Sequence, residues 1–376
     1  MIKIAVWSIV LNVLFSPLNS SLAVIFGYVT IAASWLYPII RTFRGRKIKV
    51  NKFVIGLAVN LLISMLVSIS SIETSMIETY IISFVSFLTF YWSASFRPDE
   101  TSRLDLRFFF KANLFLCFIY IFHAFGPFGE KYLVTDVWGN KVFNMGLGNP
   151  NAVSGYIMFS VMLLLIQLLH EKGTANKFFV LVLMGVMLYI LYLLSSRTTF
   201  FCTIVALAAV AWNRRERAGN WVYMLVLLIP LCMVFFQLAL AELESETQIL
   251  GKGLDTGRAE IYEIALKKIF SSPLTLLFGE CFQQYFQNLH NAPLALIATI
   301  GLMGYIPCCV FWFKQIKMLN SSVDGGSQKI AFVCIIVYIL HSSAETMFMT
   351  GTVPYSMFVL LVLMIAKGDI KYRAGQ

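Results

Sequence analysis

The residues of this sequence best suited to chemistry are arginines and histidines that stand beside long apolar runs. Arg197 lies between two such runs in the segment Ser195-Ser196-Arg197-Thr198-Thr199, with almost no loop on either side. Its guanidinium stays charged and presents a planar fork of N–H donors that suits a phosphate or diphosphate. The alternative is an arginine that only anchors a helix end at a membrane surface. The four neighbouring hydroxyl groups favour a functional role.

Two histidines lie where an ionisable side chain could act on a substrate. His290 follows the longest hydrophilic stretch, and a neutral imidazole can take a proton from a sugar hydroxyl near neutral pH. A histidine bonded to nearby backbone is the alternative. His341 and Glu345 lie four residues apart in an apolar run, where an ionisable pair is costly unless it lines a cavity. This pair can orient a substrate or simply pair internally.

Three further polar residues are candidates. Arg258 follows Gly257 at the predicted start of a helix, where a simple surface cation is the alternative. Asn149 and Asn151 flank Pro150 after two glycines, in a segment that opens an apolar run. Asparagine is a good helix cap, and glycine permits tight turns. The pair is therefore either a cap or a polar cluster that binds sugar.

Several classes of chemistry lack their motifs here. There is no Walker motif, Rossmann fingerprint, zinc pattern or serine nucleophile elbow, so we expect no metal, cofactor or nucleotide hydrolysis. Six of the seven cysteines fall inside apolar runs and only Cys281 stands outside them, which is neither a disulfide framework nor a metal pattern. Any reaction outside the cell must then use energy already stored in its substrate.

The composition predicts a membrane protein. Of 376 residues, 59% are hydrophobic and 13% charged, with a mean hydropathy of +0.78. The excess lies in repeated apolar stretches of about 17–22 residues, the length that crosses roughly 30 Å of hydrocarbon as a helix. No hydrophilic block is large enough for a soluble domain. We therefore predict an all-α, polytopic helical bundle in one integral membrane domain, residues 1–376.

Twelve spans are predicted, with two outward loops, 126–151 and 242–292. The spans lie near 4–17, 20–40, 53–71, 76–96, 108–126, 152–169, 178–195, 198–212, 221–241, 293–313, 330–349 and 352–366.

The basic residues predict the orientation of these spans. With Met1 in the cytoplasm, 22 of the 29 Lys and Arg residues fall in cytoplasmic segments, as the positive-inside rule requires. Both termini are then cytoplasmic. The net charge of +10 reflects this topology, and we expect no nucleic-acid partner.

The longer outward loop contains a predicted amphipathic helix. Asp255 and Thr256 can cap a helix that begins near Arg258 and ends at Ser271-Ser272-Pro273. Its apolar residues recur at helical spacing, and Glu263 precedes Lys267 by four, the favourable order for an ion pair. The helix should lie at the outer membrane interface or fold over the spans.

An ordered set of motifs over roughly residues 140–310 resembles the O-antigen polymerase and ligase superfamily of bacterial membrane glycosyltransferases. The motifs are Gly148-Asn149-Pro150-Asn151, Ser196-Arg197-Thr198, Gly257-Arg258 with Tyr262, Pro273 with Leu277-Phe278-Gly279, and His290-Asn291 followed by Leu294 and Gly301-Leu302-Met303-Gly304. Each motif is weak alone. Their order on a matching topology, with the large loop before the His-Asn pair, carries the resemblance.

The resemblance implies a GT-C-like bundle in the bacterial inner membrane, with a large periplasmic loop before the tenth span and a site that faces the periplasm. Its substrate would be an undecaprenyl-diphosphate-linked oligosaccharide held in membrane lipid, with a chain-length regulator protein considered as a further partner. Arg197 and Arg258 would bind the diphosphate, and His290 would be the base or orient the substrate. The other residues expected at the substrate are Asn149, Asn151, Asn291, His341 and Glu345.

The function implied is a polymerase. The acceptor hydroxyl of one lipid-linked repeat would attack the anomeric carbon of the growing chain, and the lipid diphosphate would leave. One alternative is a ligase of the same superfamily, which transfers finished polymer to lipid A core. Another is a lipid-linked saccharide transporter or flippase, although polar sites and broken helices near the membrane midplane, typical of transporters, are not evident. A structural membrane scaffold is the third alternative.

Overall fold

A computed structural model describes most of the chain. The described residues are 1–44, 52–69, 77–95, 105–126, 133–135, 141–143, 150–194, 196–211, 220–242, 248–249, 252–253, 258–280, 289–321, 326–343 and 355–368. Asn149, Glu345, Asp255 and Thr256 lie outside these ranges. For Arg197 and Asn151 the structure describes the backbone but not the side chain.

Helices make up nearly all of the described structure. They are α1 (Ile2–Phe15), α2 (Ser20–Arg44), α3 (Lys52–Val67), α4 (Ile77–Ala94), α5 (Leu106–Phe125), α6 (Pro150–His170), α7 (Thr174–Leu193), α8 (Arg197–Ala211), α9 (Asn220–Glu242), α10 (Ala259–Ile269), α11 (Pro273–Phe278), α12 (Ala292–Ser321), α13 (Gly326–His341) and α14 (Tyr355–Ala366). Two short antiparallel hairpins, absent from the sequence prediction, lie in the two long loops; they pair β1 (Leu133–Thr135) with β2 (Lys141–Phe143) and β3 (Gln248–Ile249) with β4 (Lys252–Gly253).

Each of the twelve predicted spans overlaps one of these helices over its described residues. In the described residues, six helical stretches are long and apolar enough to cross a membrane, judged by length and composition alone. They are Ser20–Ile40, Leu106–Phe125, Val153–His170, Thr174–Leu193, Val222–Ala239 and Ala292–Asn320. These stretches indicate a membrane-embedded helical protein. The number of spans and their orientation stay predictions.

Side-chain burial agrees with a bundle that has an apolar exterior. Phe43, Phe178 and Phe235 are each more than half exposed, as expected of helices that face lipid rather than water. Inside the bundle, Trp312 of α12 and Tyr91 of α4 are fully buried, and Trp312 Nε1 donates a hydrogen bond of 3.3 Å to Tyr91 Oη. The indole N–H of Trp312 and the phenol oxygen of Tyr91 thus have a hydrogen-bond partner in the buried interior.

Helix α12 is two helices joined at a sharp break. Gly301 has φ 62° and ψ −175°, a conformation that is essentially restricted to glycine. The break frees carbonyl groups at the end of the first half, and α3 supplies donors for them. Asn60 Nδ2 donates to the Ile300 carbonyl at 2.7 Å, and Ser64 Oγ donates to the Thr299 carbonyl at 2.6 Å. The break was not predicted.

A segment of the long loop packs into this break. A Cβ atom placed on Gly301 would lie 2.2 Å from the carbonyl carbon of Leu277 in α11. A Cβ placed on Gly279, just after α11, would lie 2.4 Å from the carbonyl carbon of Thr299. The next residue, Glu280, donates its backbone N–H to the Ala298 carbonyl at 2.8 Å. Two glycines therefore let the loop and the broken helix interlock, and we call this contact the glycine clasp.

The amphipathic helix predicted in the long loop is confirmed as α10. Glu263 and Lys267 form the expected ion pair at 2.5 Å, while Tyr262 and Ile269 are buried on the opposite face. The capping residue differs from the prediction, because Arg258 occupies the N-cap position and makes no side-chain cap bond. At Ser271-Ser272-Pro273, where the sequence predicts the end of the amphipathic helix, a second helix, α11, begins. Its N-cap Ser272 accepts a hydrogen bond from the Thr275 N–H at 3.0 Å.

Candidate functional site

Thr199 is the centre of a buried polar cluster. Its hydroxyl lies 2.8 Å from Ser154 Oγ, 2.9 Å from Ser196 Oγ and 2.7 Å from His341 Nε2. A hydroxyl has one hydrogen and accepts two hydrogen bonds, so three partners use its full capacity. All four side chains are at most 6% exposed. The contacts join α6, α8 and α13 through one oxygen atom, and we call these four residues the Thr199 cluster.

The start of α8 sets the geometry of this cluster. Ser196 directly precedes α8, and its carbonyl accepts the N–H of Phe200 in the first helical hydrogen bond. The Ser196 hydroxyl, just before the helix, bonds the side-chain hydroxyl of Thr199 three residues later. Thr203 donates to the Thr199 carbonyl at 2.7 Å one turn further along. Arg197 lies between the two members of this pair, as the first residue of α8.

The cluster lies where two short helices end. α8 has 15 residues and α13 has 16, so each is about 22–24 Å long, less than the roughly 30 Å of hydrocarbon. The neighbouring α6 has 21 residues. His170 of α6 bonds Ser327 of α13 at 2.7 Å at the far end of the pair, which fixes their register. Because α6 begins at Pro150, the cluster lies one turn inside that end of α6.

Asn291 attaches the start of α12 to α9 and to the segment just after α13. Its Nδ2 donates to the Pro230 carbonyl at 2.7 Å and to the Ser343 carbonyl at 3.2 Å, and its Oδ1 accepts the Leu294 N–H at 2.9 Å. The Ala292 N–H also donates to the Ser342 carbonyl at 2.9 Å. Asn291 is fully buried, so in this structure it positions the start of α12. Its expected contact with substrate stays a prediction.

His290 precedes Asn291 and adopts an unusual backbone conformation. Its φ is 47°, and among the residues that the structure describes it is the only non-glycine residue with positive φ. Such a residue stores local strain, and strain of this type concentrates at functional sites. The side chain is partly exposed, whereas His341 is 1% exposed. Because Asn291 and Ala292 are bonded to Ser343 and Ser342, the two histidines lie on adjoining segments.

The structure places the two arginines differently. The backbone of Arg197 lies in the first turn of α8, between Ser196 and Thr199 of the Thr199 cluster. Arg258 is partly exposed and precedes α10, which packs against α9 and α12. The structure therefore brings the Arg197 backbone, His341 and the segment of His290 and Asn291 onto adjoining elements. That Arg258 joins these residues at one site stays a prediction.

The remaining predicted residues are less well placed. The Asn151 backbone lies in the first turn of α6, three residues before Ser154. Asn149 and Glu345 fall outside the described residues. Their roles at a substrate stay predictions.

Sequence reasoning did not identify Ser154 or Ser342 as part of the site. Ser154 is a single hydroxyl in an apolar run, and only its position one turn after Asn151 could have suggested a role. Ser342 is fully buried next to His341, and its hydroxyl donates back to the Ile339 carbonyl at 2.5 Å. Serines in helices often bond in this way, so the sequence gives no signal for the contact with α12.

Comparison with known proteins adds no relative to this description. No model of a known protein family matches the chain, and no curated protein matches it either. Within the described ranges, no group of three or more His, Cys, Asp or Glu side chains could hold a metal ion, and the six cysteines described there are free. The chemistry of the site must be argued from its own side chains.

Replacing Thr199 by valine is expected to disable the site. Valine keeps the branched shape but removes the hydroxyl, so Ser154, Ser196 and His341 lose their shared partner in a buried region. Leaving buried polar groups unpaired costs about 1–3 kcal/mol for each group. We expect a lower thermal midpoint in detergent and loss of activity. Thr199→Ser keeps the hydroxyl and should retain both properties; a fully stable and active Thr199→Val protein would show that the cluster is dispensable.

Proposed function

We propose that the protein is a polymerase that joins undecaprenyl-diphosphate-linked oligosaccharide repeats into a surface polysaccharide. One observation carries the proposal. The start of α8, which bears Arg197, is bonded through Thr199 to His341, and the adjoining segment presents the strained His290. In this proposal Arg197, the two histidines and the hydroxyls of the Thr199 cluster act together within an otherwise apolar bundle. Ionisable groups in such a setting mark functional sites.

The proposed reaction exchanges one C–O bond for another. The acceptor hydroxyl of one lipid-linked repeat attacks the anomeric carbon at the reducing end of the growing chain. His290 takes the hydroxyl proton as the new bond forms. The bond to the lipid diphosphate breaks, and Arg197 and Arg258 stabilise the charge on that leaving group. Stabilisation of developing charge by fixed cations contributes several kcal/mol to catalysis. The direct displacement inverts the anomeric carbon.

The proposal assigns the protein to the bacterial inner membrane. With the predicted twelve spans and both termini in the cytoplasm, the Thr199 cluster and the long loop would face the periplasm, where flipped lipid-linked repeats are available. The proposed substrate is a membrane lipid with an anionic head, which matches the arginines predicted to bind it. A chain-length regulator is the protein partner that this assignment implies. No nucleotide is required, because the diphosphate bond supplies the free energy.

The surface polysaccharide of a deletion strain tests this proposal. A strain without the polymerase should carry single repeats on its surface lipid, seen on a gel as the loss of the polymer ladder. The wild-type gene should restore the ladder. If the deletion strain instead lacks every attached repeat, the protein is a ligase that transfers polymer to lipid A core. An unchanged ladder would exclude both activities.

The broken helix favours a transporter as a second candidate function. Transporters for polar substrates use discontinuous helices within the membrane, and α12 is interrupted at Gly301. In α12, however, α3 and the loop residue Glu280 satisfy the carbonyls at the break. Proteoliposomes distinguish the two functions. A transporter moves lipid-linked repeats across the bilayer without changing their length, whereas a polymerase lengthens them.

A further inference from the structure

A seam of polar side chains runs along the contact between α5 and α6. Both helices contain stretches long and apolar enough to cross a membrane. The seam consists of Asn113, Tyr120 and His123 from α5 and Ser160 and Gln167 from α6, none more than 5% exposed. It is separate from the Thr199 cluster, and none of these residues has a role in the proposed reaction.

Two contacts fix how the helices align along the seam. Asn113 Nδ2 donates to the Ser160 carbonyl at 3.1 Å, and Tyr120 interacts with Tyr156 one turn along α6. The helices are therefore antiparallel. His123 lies two residues before the end of α5, and Gln167 lies three residues before the opposite end of α6. The contacts between the two helices join Asn113, Tyr120 and Ser160, while His123, nearer the end of α5, faces the Leu14 backbone of α1.

Hydrogen-bonding atoms along this seam have no protein partner. Within the part of the chain that the structure describes, no hydrogen bond reaches Asn113 Oδ1, Tyr120 Oη, Ser160 Oγ, Gln167 Oε1 or either ring nitrogen of His123. Tyr120 faces the Ser160 hydroxyl and His123 faces the Leu14 backbone, but neither pair has the geometry of a hydrogen bond. Others, such as single atoms on Ser93, Gln237, Glu280 and Gln315, lie apart from one another in separate parts of the described chain.

Burial of unpaired polar groups favours a bound ligand in the seam. Each such group destabilises the folded protein unless a partner satisfies it, and six such atoms lie here. The seam offers both donors and acceptors and contains no carboxylate, so it suits a small neutral molecule that does both. Water has this property, and buried waters typically bond otherwise unsatisfied polar groups.

We propose that the α5–α6 seam binds a file of ordered water molecules between two membrane-spanning helices. The file satisfies the side chains of Asn113, Tyr120 and Ser160 and gives His123 hydrogen-bonded contact with the interior of the bundle. It is a hydration site that does not depend on the polymerase activity. Polar residues inside membrane helices are retained where they line such paths.

Radiolytic labelling of the purified full-length protein in detergent tests this proposal. X-ray pulses produce hydroxyl radicals from water, and a radical formed in bound water oxidises the adjacent buried side chain. Tyr120 and Tyr91 are both fully buried, but Tyr91 accepts a hydrogen bond from Trp312 within the protein. We expect Tyr120 to be oxidised several times faster than Tyr91. Equal, slow rates at the two tyrosines would overturn the proposal.

A stability measurement provides an independent arm. If the seam is dry, Tyr120→Phe removes an unpaired hydroxyl and should raise the thermal midpoint. If water fills the seam, the same change removes a partner of bound water, and the midpoint should fall. A lower midpoint for Tyr120→Phe and for Ser160→Ala supports the proposal. A midpoint equal to or above that of the wild type in both variants overturns it.

Discussion

Replacing Arg197 by alanine is expected to abolish polymer formation while the protein remains folded in the membrane. Arg197 is the first residue of α8 and lies between Ser196 and Thr199 of the Thr199 cluster. The position of its backbone is therefore set by the buried hydrogen bonds of these neighbours. Loss of one positioned cation from a charged transition state reduces the rate by about 10²–10³-fold. The measurement is the polysaccharide ladder of a deletion strain that expresses the variant, with its membrane level checked by immunoblot.

Two companion variants make this result specific. Arg197→Lys keeps the charge but not the planar fork, so it should lose most of the activity. Lys177, near the start of α7 and exposed, provides a control at which Lys→Ala should have no effect on the ladder. Chains of normal length from Arg197→Ala would exclude this arginine from the diphosphate site. That result would not contradict the helical fold or the hydrogen bonds of the Thr199 cluster.

Replacing Gly301 by alanine is expected to unfold the region around the clasp. The backbone of Gly301 lies in a conformation that costs other residues about 1–3 kcal/mol. The new Cβ would also lie 2.2 Å from the carbonyl carbon and oxygen of Leu277, so backbone atoms rather than flexible side chains must move. We expect a large fall in the thermal midpoint and little monodisperse protein after extraction. The measurement is fluorescence-detected size-exclusion chromatography over a temperature series.

The chain supplies matched controls for this substitution. Gly185 in α7 and Gly56 in α3 lie within helices, and a Cβ on either would meet nothing within 4 Å. Alanine is favoured over glycine in a helix by up to about 1 kcal/mol, so both variants should be neutral or slightly stabilising. Gly279→Ala should resemble Gly301→Ala, because the two glycines form one contact. If Gly301→Ala behaved like Gly185→Ala, the interlocked geometry of α11 and α12 would be wrong.

The helices could largely be predicted from the sequence. A continuous apolar run bounded by charge leaves the backbone few choices in hydrocarbon, and every predicted span has its helix. α10 was also predictable, because its apolar positions recur every three or four residues and Glu263 precedes Lys267 by four. Local pattern is sufficient for these elements, since their stability depends mainly on one buried face.

The break in α12 and the short α11 could not be predicted in the same way. The apolar pattern of α12 runs through Gly301 without interruption, and glycines are common in membrane helices. What stabilises the break is distant in sequence: Asn60 and Ser64 of α3 bond the freed carbonyls, and Leu277 of α11 fills the gap. α11 has six residues, too few for a periodic signal. Both features depend on tertiary packing.

The candidate site was also predictable only in part. The ionisable residues were identifiable because charge is rare in this chain, and Arg197, His290 and His341 prove to lie on neighbouring segments. Their grouping was not predictable from spacing, since Thr199 and His341 are 142 residues apart. Ser154 carries no charge and lies in an apolar run, so only the structure shows that it bonds Thr199.

The central claim is that this protein lengthens lipid-linked saccharides. The most direct measurement is reconstitution of the purified protein in liposomes with undecaprenyl-diphosphate-linked repeats, without nucleotide sugar or added metal. The expected result is a ladder of products that differ by one repeat, with release of undecaprenyl diphosphate in equal amount to the bonds formed. Arg197→Ala should give none. Repeats that keep their original length in the presence of folded wild-type protein would contradict the assignment as a polymerase.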